Sequence, residues 1–256
     1  MKKTLSLIFA LLLLISSGAA AADSVAKIKK AGILKAGVKE DVPKFGFLNP
    51  KTNKHEGFEI ELASLVAKKL LGDASKVKYT GVTAKTRGPL LDTGELDMVA
   101  ATFTITPERR QSYEFSDTYF TDGVGVMVKK AANINSFKDL NGKTIGVAQS
   151  ATSRKAIQTA ADAAGIKVKF AEYSTYPELK ASLDSKRIQA FSVDKAILMG
   201  YMEDSVKILS ETFDPQEYGI AIKKGNTDLL EIVNGIIRDL QKSGEMEKLL
   251  KKHQLK

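Results

Sequence analysis

Residues 97–110 read Asp-Met-Val-Ala-Ala-Thr-Phe-Thr-Ile-Thr-Pro-Glu-Arg-Arg, and this order of residue types could hold a small anion. The apolar run 98–101 has strand character. It ends in hydroxyls at alternate positions, Thr102, Thr104 and Thr106. Thr106-Pro107-Glu108 then reads as a helix start, with a capping hydroxyl and proline at the first helical position. Arg109 and Arg110 follow. A strand ending in hydroxyls, then free backbone N–H groups and an arginine, can grip a carboxylate. A threonine-rich strand end with exposed arginines explains the same residues equally well. Two further cations could join the first. Lys39 follows an early strand, at the edge where open α/β sheets bind ligands, although a solvated lysine is the commoner fate. Arg87 begins a short helix near its positive dipole end, where a lone cation gains nothing unless an anion joins it.

Composition narrows the chemistry. The chain has 256 residues, no cysteine and 2 histidines, so disulfides, zinc–thiolate sites and cysteine nucleophiles are excluded. His55 lies in a turn and His253 in the C-terminal tail, and no metal or cofactor is expected. Residues 1–22 carry the marks of a secretory signal: basic Lys2 and Lys3, an apolar core over 5–15, and small Ala20-Ala21-Ala22. No cysteine follows that core, so export to a bacterial periplasm without a lipid anchor is expected. The net charge of +9 falls to +7 once Lys2 and Lys3 are removed. These lysines are scattered and no nucleic-acid motif accompanies them, so acidic small molecules or anionic surfaces are the more natural partners.

The elements that must position these residues form two similar patterns. Strands are expected at 33–38, 77–82 and 98–101. A helix from Phe58 repeats apolar residues at Leu62, Leu65, Val66 and Leu70 and stops at Gly72. The turn-rich segment 49–54 joins two extended pieces. After the extended run 123–128, the composition changes at 129–133, and a second α/β pattern begins. It alternates strands at 144–148, 168–173 and 188–193 with helices at 150–164, 177–183 and 194–202. Gly142-Lys143-Thr144 imitates a phosphate loop, but Phe137 stands where its first glycine is required. Asp214-Pro215-Gln216 carries the chain back to a strand at 218–222 and a long helix from about Asn226. The expected architecture is therefore α/β, with lobe 1 over 23–128, lobe 2 over 129–215 and a return over 216–256. Two crossings between two lobes make a hinged clamshell.

Gly57-Phe58-Glu59-Ile60-Glu61-Leu62, continuing through Val66-Ala67 to Leu70, resembles the signature of bacterial extracellular solute-binding proteins of the polar amino-acid class. The likeness spans the mature chain and includes Gly146-Val147-Ala148-Gln149-Ser150-Ala151-Thr152. The aspartate/glutamate-binding members are the most similar, through Val38-Lys39, the segment 84–91 and Phe191-Ser192-Val193-Asp194-Lys195. The resemblance implies a type II periplasmic-binding-protein fold and a monomeric receptor that hands an acidic amino acid to a membrane ABC permease. It implies that Arg109 pairs bidentately with the ligand α-carboxylate, a geometry lysine cannot copy. Thr104 and the backbone N–H of Thr152 would complete that grip. Asp194, with the Thr102 region, would take the α-ammonium. Lys39 and Arg87 would hold the side-chain carboxylate, and Tyr176 and Ser192 would line the second lobe.

Charge supports this assignment: Lys39, Arg87 and Arg109 less Asp194 leave +2, facing a dicarboxylic amino acid. A cationic ligand would bury a like charge beside Lys39 and Arg87. Many family members sandwich the ligand with an aromatic ring where this chain has Ala84, which argues against basic or aromatic ligands. Binding of a neutral polar amino acid such as glutamine or cysteine is the alternative. A dehydratase-like enzyme on the same scaffold would need a carboxylate such as Glu172 or Glu178 as its acid. An adhesin role ranks last, because the sequence offers no separate adhesive module.

Overall fold

The computed structural model describes residues 24–256, so the expected signal at 1–22 lies outside the described residues. Among them, no helix is long and apolar enough to cross a membrane. The chain begins with α1 (Ser24–Ala31), β1 (Leu34–Val38) and a three-stranded hairpin sheet of β2 (Asp41–Val42), β3 (Gly46–Asn49) and β4 (Lys54–Glu56). Helix α2 (Phe58–Leu71) buries Phe58, Leu62, Val66 and Leu70 of the positions its periodicity marks and leaves Leu65 partly exposed. Gly72 ends it in the left-handed conformation, donating to the Lys68 carbonyl. At its other end, Gly57 has φ 131°, and a Cβ there would lie 2.2 Å from the Phe45 carbonyl oxygen. Only glycine lets α2 start this close to the hairpin.

Next come β5 (Val77–Gly81), α3 (Arg87–Asp92), β6 (Met98–Ala100), α4 (Pro107–Ser112) and β7 (Tyr113–Phe115). Thr106 caps α4 as its sequence requires, accepting from the Arg109 N–H at 3.2 Å. The second sheet is made by β8 (Phe120–Lys129), β9 (Thr144–Ala148), β10 (Lys169–Tyr173), β11 (Ala190–Asp194), β12 (Val206–Ile208) and β13 (Phe213–Tyr218). Its helices are α5 (Ser153–Ala164), α6 (Tyr176–Asp184) and α7 (Lys195–Met199). The chain then returns through β14 (Ala221–Lys223) to α8 (Thr227–Ser243) and α9 (Glu245–Lys252).

Strand order is β5-β1-β6-β14-β7 in the first sheet and β10-β9-β11-β8-β12 in the second, with β13 also on β8. The chain changes sheet between β7 and β8 and again between β13 and β14. Composition suggested 128/129 and 215/216 instead. The apolar run 123–128 is in fact the buried middle of β8, paired antiparallel with β11, β12 and β13. A strand so enclosed is apolar on both faces, which reads like an approach to a boundary. The single strand expected at 218–222 is likewise two strands, one in each sheet. Phe45 packs edge-on against Phe58, Phe120 and Tyr218, so aromatic contacts run from one sheet to the other. The C-terminal ends of β1, β6, β9 and β11 lead into Lys39, Thr102, Ser150 and Asp194, where an open α/β sheet offers its crevice.

Candidate functional site

The lobe-1 wall of the crevice carries two buried cations and the half-buried Arg109. Lys39 is 2% exposed, with its Nζ 2.9 Å from Asp41 Oδ1 and 3.2 Å from the Val82 carbonyl. Arg87, the first residue of α3, is 3% exposed and donates through Nη1 to the carbonyls of Ala101 (2.6 Å) and Thr102 (3.0 Å). Its guanidinium lies 3.9 Å from the Phe103 ring centre, and that of Arg109 lies 4.7 Å from the same ring. Arg109 also donates to the Thr104 carbonyl at 2.7 Å. The strand end of β6 bends at Thr102, whose φ is +46°. That turn aims the Thr102 N–H at Glu59 Oε1, 2.6 Å away, and Glu59 also accepts from the Tyr119 hydroxyl. Three polar atoms of this network are buried with no hydrogen-bond partner, Glu59 Oε2, Arg87 Nε and Thr102 Oγ1.

The lobe-2 wall brings one carboxylate. Asp194 ends β11 and makes no side-chain cap to α7. Its Oδ2 accepts from the Tyr218 hydroxyl instead, so capping does not account for it. The Tyr176 ring lies 4.7 Å from Lys39 Nζ, while its backbone N–H reaches Asp41 Oδ2 at 3.3 Å. Thr152, at the N-cap of α5, and Thr104, on the opposite wall, both donate to Gln216 Oε1, at 2.6 and 2.8 Å. Arg109 Nη2 crosses to the Ser150 carbonyl at 3.0 Å, and the Tyr201 hydroxyl to the Asp41 carbonyl. These contacts close the two lobes on each other. A crevice of about 990 Å³ remains open beside them, lined in part by Thr104, Arg109, Thr152 and Gln216.

Lys39, Arg87, Thr102, Thr104 and Arg109 thus face Thr152, Tyr176 and Asp194 across one cleft. Ser192 stands apart: it is fully buried, and its hydroxyl is committed to the Gly125 carbonyl at 2.8 Å. The two histidines serve another place, a shallow pocket beside α2. There His55 meets Glu40 and His253 meets Glu61, each at 2.8 Å. Among the described residues, no cluster of three or more His, Cys, Asp or Glu side chains could hold a metal ion.

Charge in the cleft differs from the sequence expectation. The +2 excess counted only Asp194 against three cations. The structure adds Asp41, paired with Lys39, and Glu59, close enough to act on Lys39 and Arg87. Three cations therefore meet these three carboxylates, with Glu108 and Asp122 acting from farther out. Burial shifts most of them. It lowers Lys39, against the pull of Asp41, and lowers Arg109 to about 9, helped by Arg87. It raises Asp194 to about 7 in spite of the Tyr218 hydrogen bond. It also raises Glu59 to about 7, opposed by hydrogen bonds from Tyr119 and the Thr102 N–H. Asp41 was legible as a neighbour of Lys39, two residues on. Glu59 and Gln216 were readable only as scaffold and return segment.

Two α/β lobes, crossed twice by the chain and closed over a buried set of opposed charges, define a type II periplasmic-binding-protein clamshell. Residues 34–256 match the bacterial extracellular solute-binding proteins, family 3, and the chain belongs to that family. It is 41% identical over 208 residues to a glutamine-binding protein of Geobacillus stearothermophilus, covering 80% of this chain and 78% of the relative. It is 34% identical over 269 residues to an ABC transporter glutamine-binding protein of Bacillus subtilis, covering 98% and 97%. Among solved structures, it is similar to a cysteine-binding protein from Campylobacter jejuni, with a TM-score of 0.82, 31% identity and coverage of 90% and 92%.

Proposed function

We propose that this protein is a monomeric periplasmic receptor that captures a neutral polar amino acid, glutamine first, and delivers it to an ABC permease. The observation that carries this reading is that the cations of the closed cleft are already answered by carboxylates of the protein itself, Lys39 by Asp41, and Arg87 and Arg109 by Glu59 and Asp194. A zwitterion with a neutral side chain leaves that arrangement intact, whereas glutamate or aspartate adds one negative charge in a place that water does not screen. Relatives that bind glutamine point the same way. In this reading Arg109 takes the α-carboxylate and Asp194 the α-ammonium. Arg87 Nε and Thr102 Oγ1, buried without partners, are available to a side-chain amide. The residues bind and orient the ligand, and closure excludes water. No bond is made or broken.

Calorimetric titration of the ligand-stripped mature protein with glutamine, glutamate, aspartate, cystine and arginine tests the reading. Glutamine should bind more tightly than either acid. Tighter binding of the acids would return Lys39 and Arg87 to the role of side-chain carboxylate holders and overturn the neutral assignment.

A further inference from the structure

We infer that Asp41 is the residue that sets the ligand class, by neutralising Lys39 from within lobe 1 and thereby denying it to a ligand carboxylate. The inference rests on the reading of the cleft as a site for a neutral amino acid. Lys39 is almost fully buried, so its charge must be answered by something nearby. Apart from Asp41, the polar contact it makes is the Val82 carbonyl at 3.2 Å, a neutral acceptor. The Tyr176 ring face at 4.7 Å adds a weaker electrostatic contact. Asp41 supplies the countercharge at 2.9 Å.

Asp41 Oδ1 lies within hydrogen-bond distance of the Lys39 ammonium and has no other donor beside it. A lysine held this way is free to turn toward a stronger partner if its carboxylate is removed. Asp41 is also fixed from the far side of the cleft. Tyr176 donates to its Oδ2, and the Tyr201 hydroxyl to its carbonyl, so closure of lobe 2 sets the carboxylate in place. The same act that encloses the ligand therefore neutralises the lysine beside it. A dicarboxylic ligand meets Asp41 as a like charge, while a carboxamide does not.

Glutamine and glutamate differ only at the side-chain terminus, so the ratio of their affinities reads this role, and a purely structural role would not move it. Asp41→Asn keeps the side-chain shape, an oxygen for the Tyr176 N–H and the backbone carbonyl for Tyr201. Calorimetry should show the glutamine-to-glutamate preference shifted toward glutamate by about tenfold or more, roughly one decade of dissociation constant. Adding Lys39→Gln to Asp41→Asn should return the preference to glutamine, since the freed charge is then gone. A wild-type protein that prefers glutamine, with an Asp41→Asn ratio unchanged, overturns the inference and leaves the receptor reading standing. A wild-type protein that already prefers glutamate overturns both. If folded Asp41→Asn binds neither ligand, the double variant decides: recovered glutamine binding supports the inference, and continued failure overturns it.

Discussion

On the lobe-1 wall of the cleft, the charged side chains are held by their own lobe. Arg87 rests on the Ala101 and Thr102 carbonyls, Arg109 on the Thr104 carbonyl and Lys39 on Asp41. On the lobe-2 wall, Asp194 is held by Tyr218 at the end of β13 and Thr152 by Gln216 on the same strand, right where the chain crosses back. The first wall keeps these partners with the cleft open and loses the Arg109 bond to Ser150 and the lobe-2 bonds to Asp41, while the second depends on the strand that joins the lobes. A ligand loads best on a surface already in place, so the cationic wall should bind first and the acidic wall should complete the site by closing.

The largest test of that contrast is Arg109→Ala. If Arg109 takes the α-carboxylate as proposed, its loss should weaken amino-acid binding by about 3 kcal/mol or more, over a hundredfold. Calorimetry with the variant's melting curve unchanged would bear this out, and near-normal affinity would remove Arg109 from the loading wall. Asp194→Asn comes next, at about 2 kcal/mol. If lobe 2 only completes the site, this variant should keep weak binding but lose the ligand-dependent compaction seen by small-angle scattering. Complete loss of binding would instead mean that the two walls act together from the start.

The pH dependence sharpens the contrast further. Asp194 and Glu59 have folded values near 7, raised from ordinary values of 3.8 and 4.5, so the folded protein holds protons that the unfolded chain releases. Through these two acids, unliganded stability should fall as the pH rises from about 4 through about 7 and level off above it, while carboxylates held below their usual range, such as Asp184 and Asp228, lose their own contribution in acid. Denaturant melts between pH 4 and 8 check this sign. Under the proposed pairing of the ammonium with ionised Asp194, ligand affinity should run the other way, rising by up to about tenfold per pH unit below 7. Flat affinity over pH 5.5–8 would show that the ammonium is held elsewhere. The smallest effect is Tyr218→Phe, which removes one hydrogen bond from Asp194 and should cost about 1 kcal/mol of affinity at pH 8. An equal loss with a neutral ligand mimic lacking the ammonium would shift its origin to packing.

Much of this wall-by-wall picture can be read from residue order. Thr-Pro-Glu before Arg109 sets the α4 cap, and the periodicity from Phe58 sets α2, because both signals are local. The pairings between distant segments could not be read. Glu59 looks like the polar gap in an amphipathic helix, yet it is wholly buried, because the bend at Thr102 and the phenol of Tyr119 converge on it. Gln216 follows Asp214-Pro215 and reads as a mere turn; that it collects hydroxyls from both walls depends on where β13 pairs with β8. The crossing was misplaced for a related reason, since a strand buried on both faces has no alternation to reveal which sheet it joins.

The two tyrosines that serve the buried acids occupy matching places. Tyr119 precedes β8 where the chain enters lobe 2, Tyr218 ends β13 where it leaves, and their rings lie 6.3 Å apart. One phenol answers Glu59 in lobe 1 and the other Asp194 in lobe 2. Each passage of the chain between the lobes thus carries one phenol, and each phenol satisfies one buried acid.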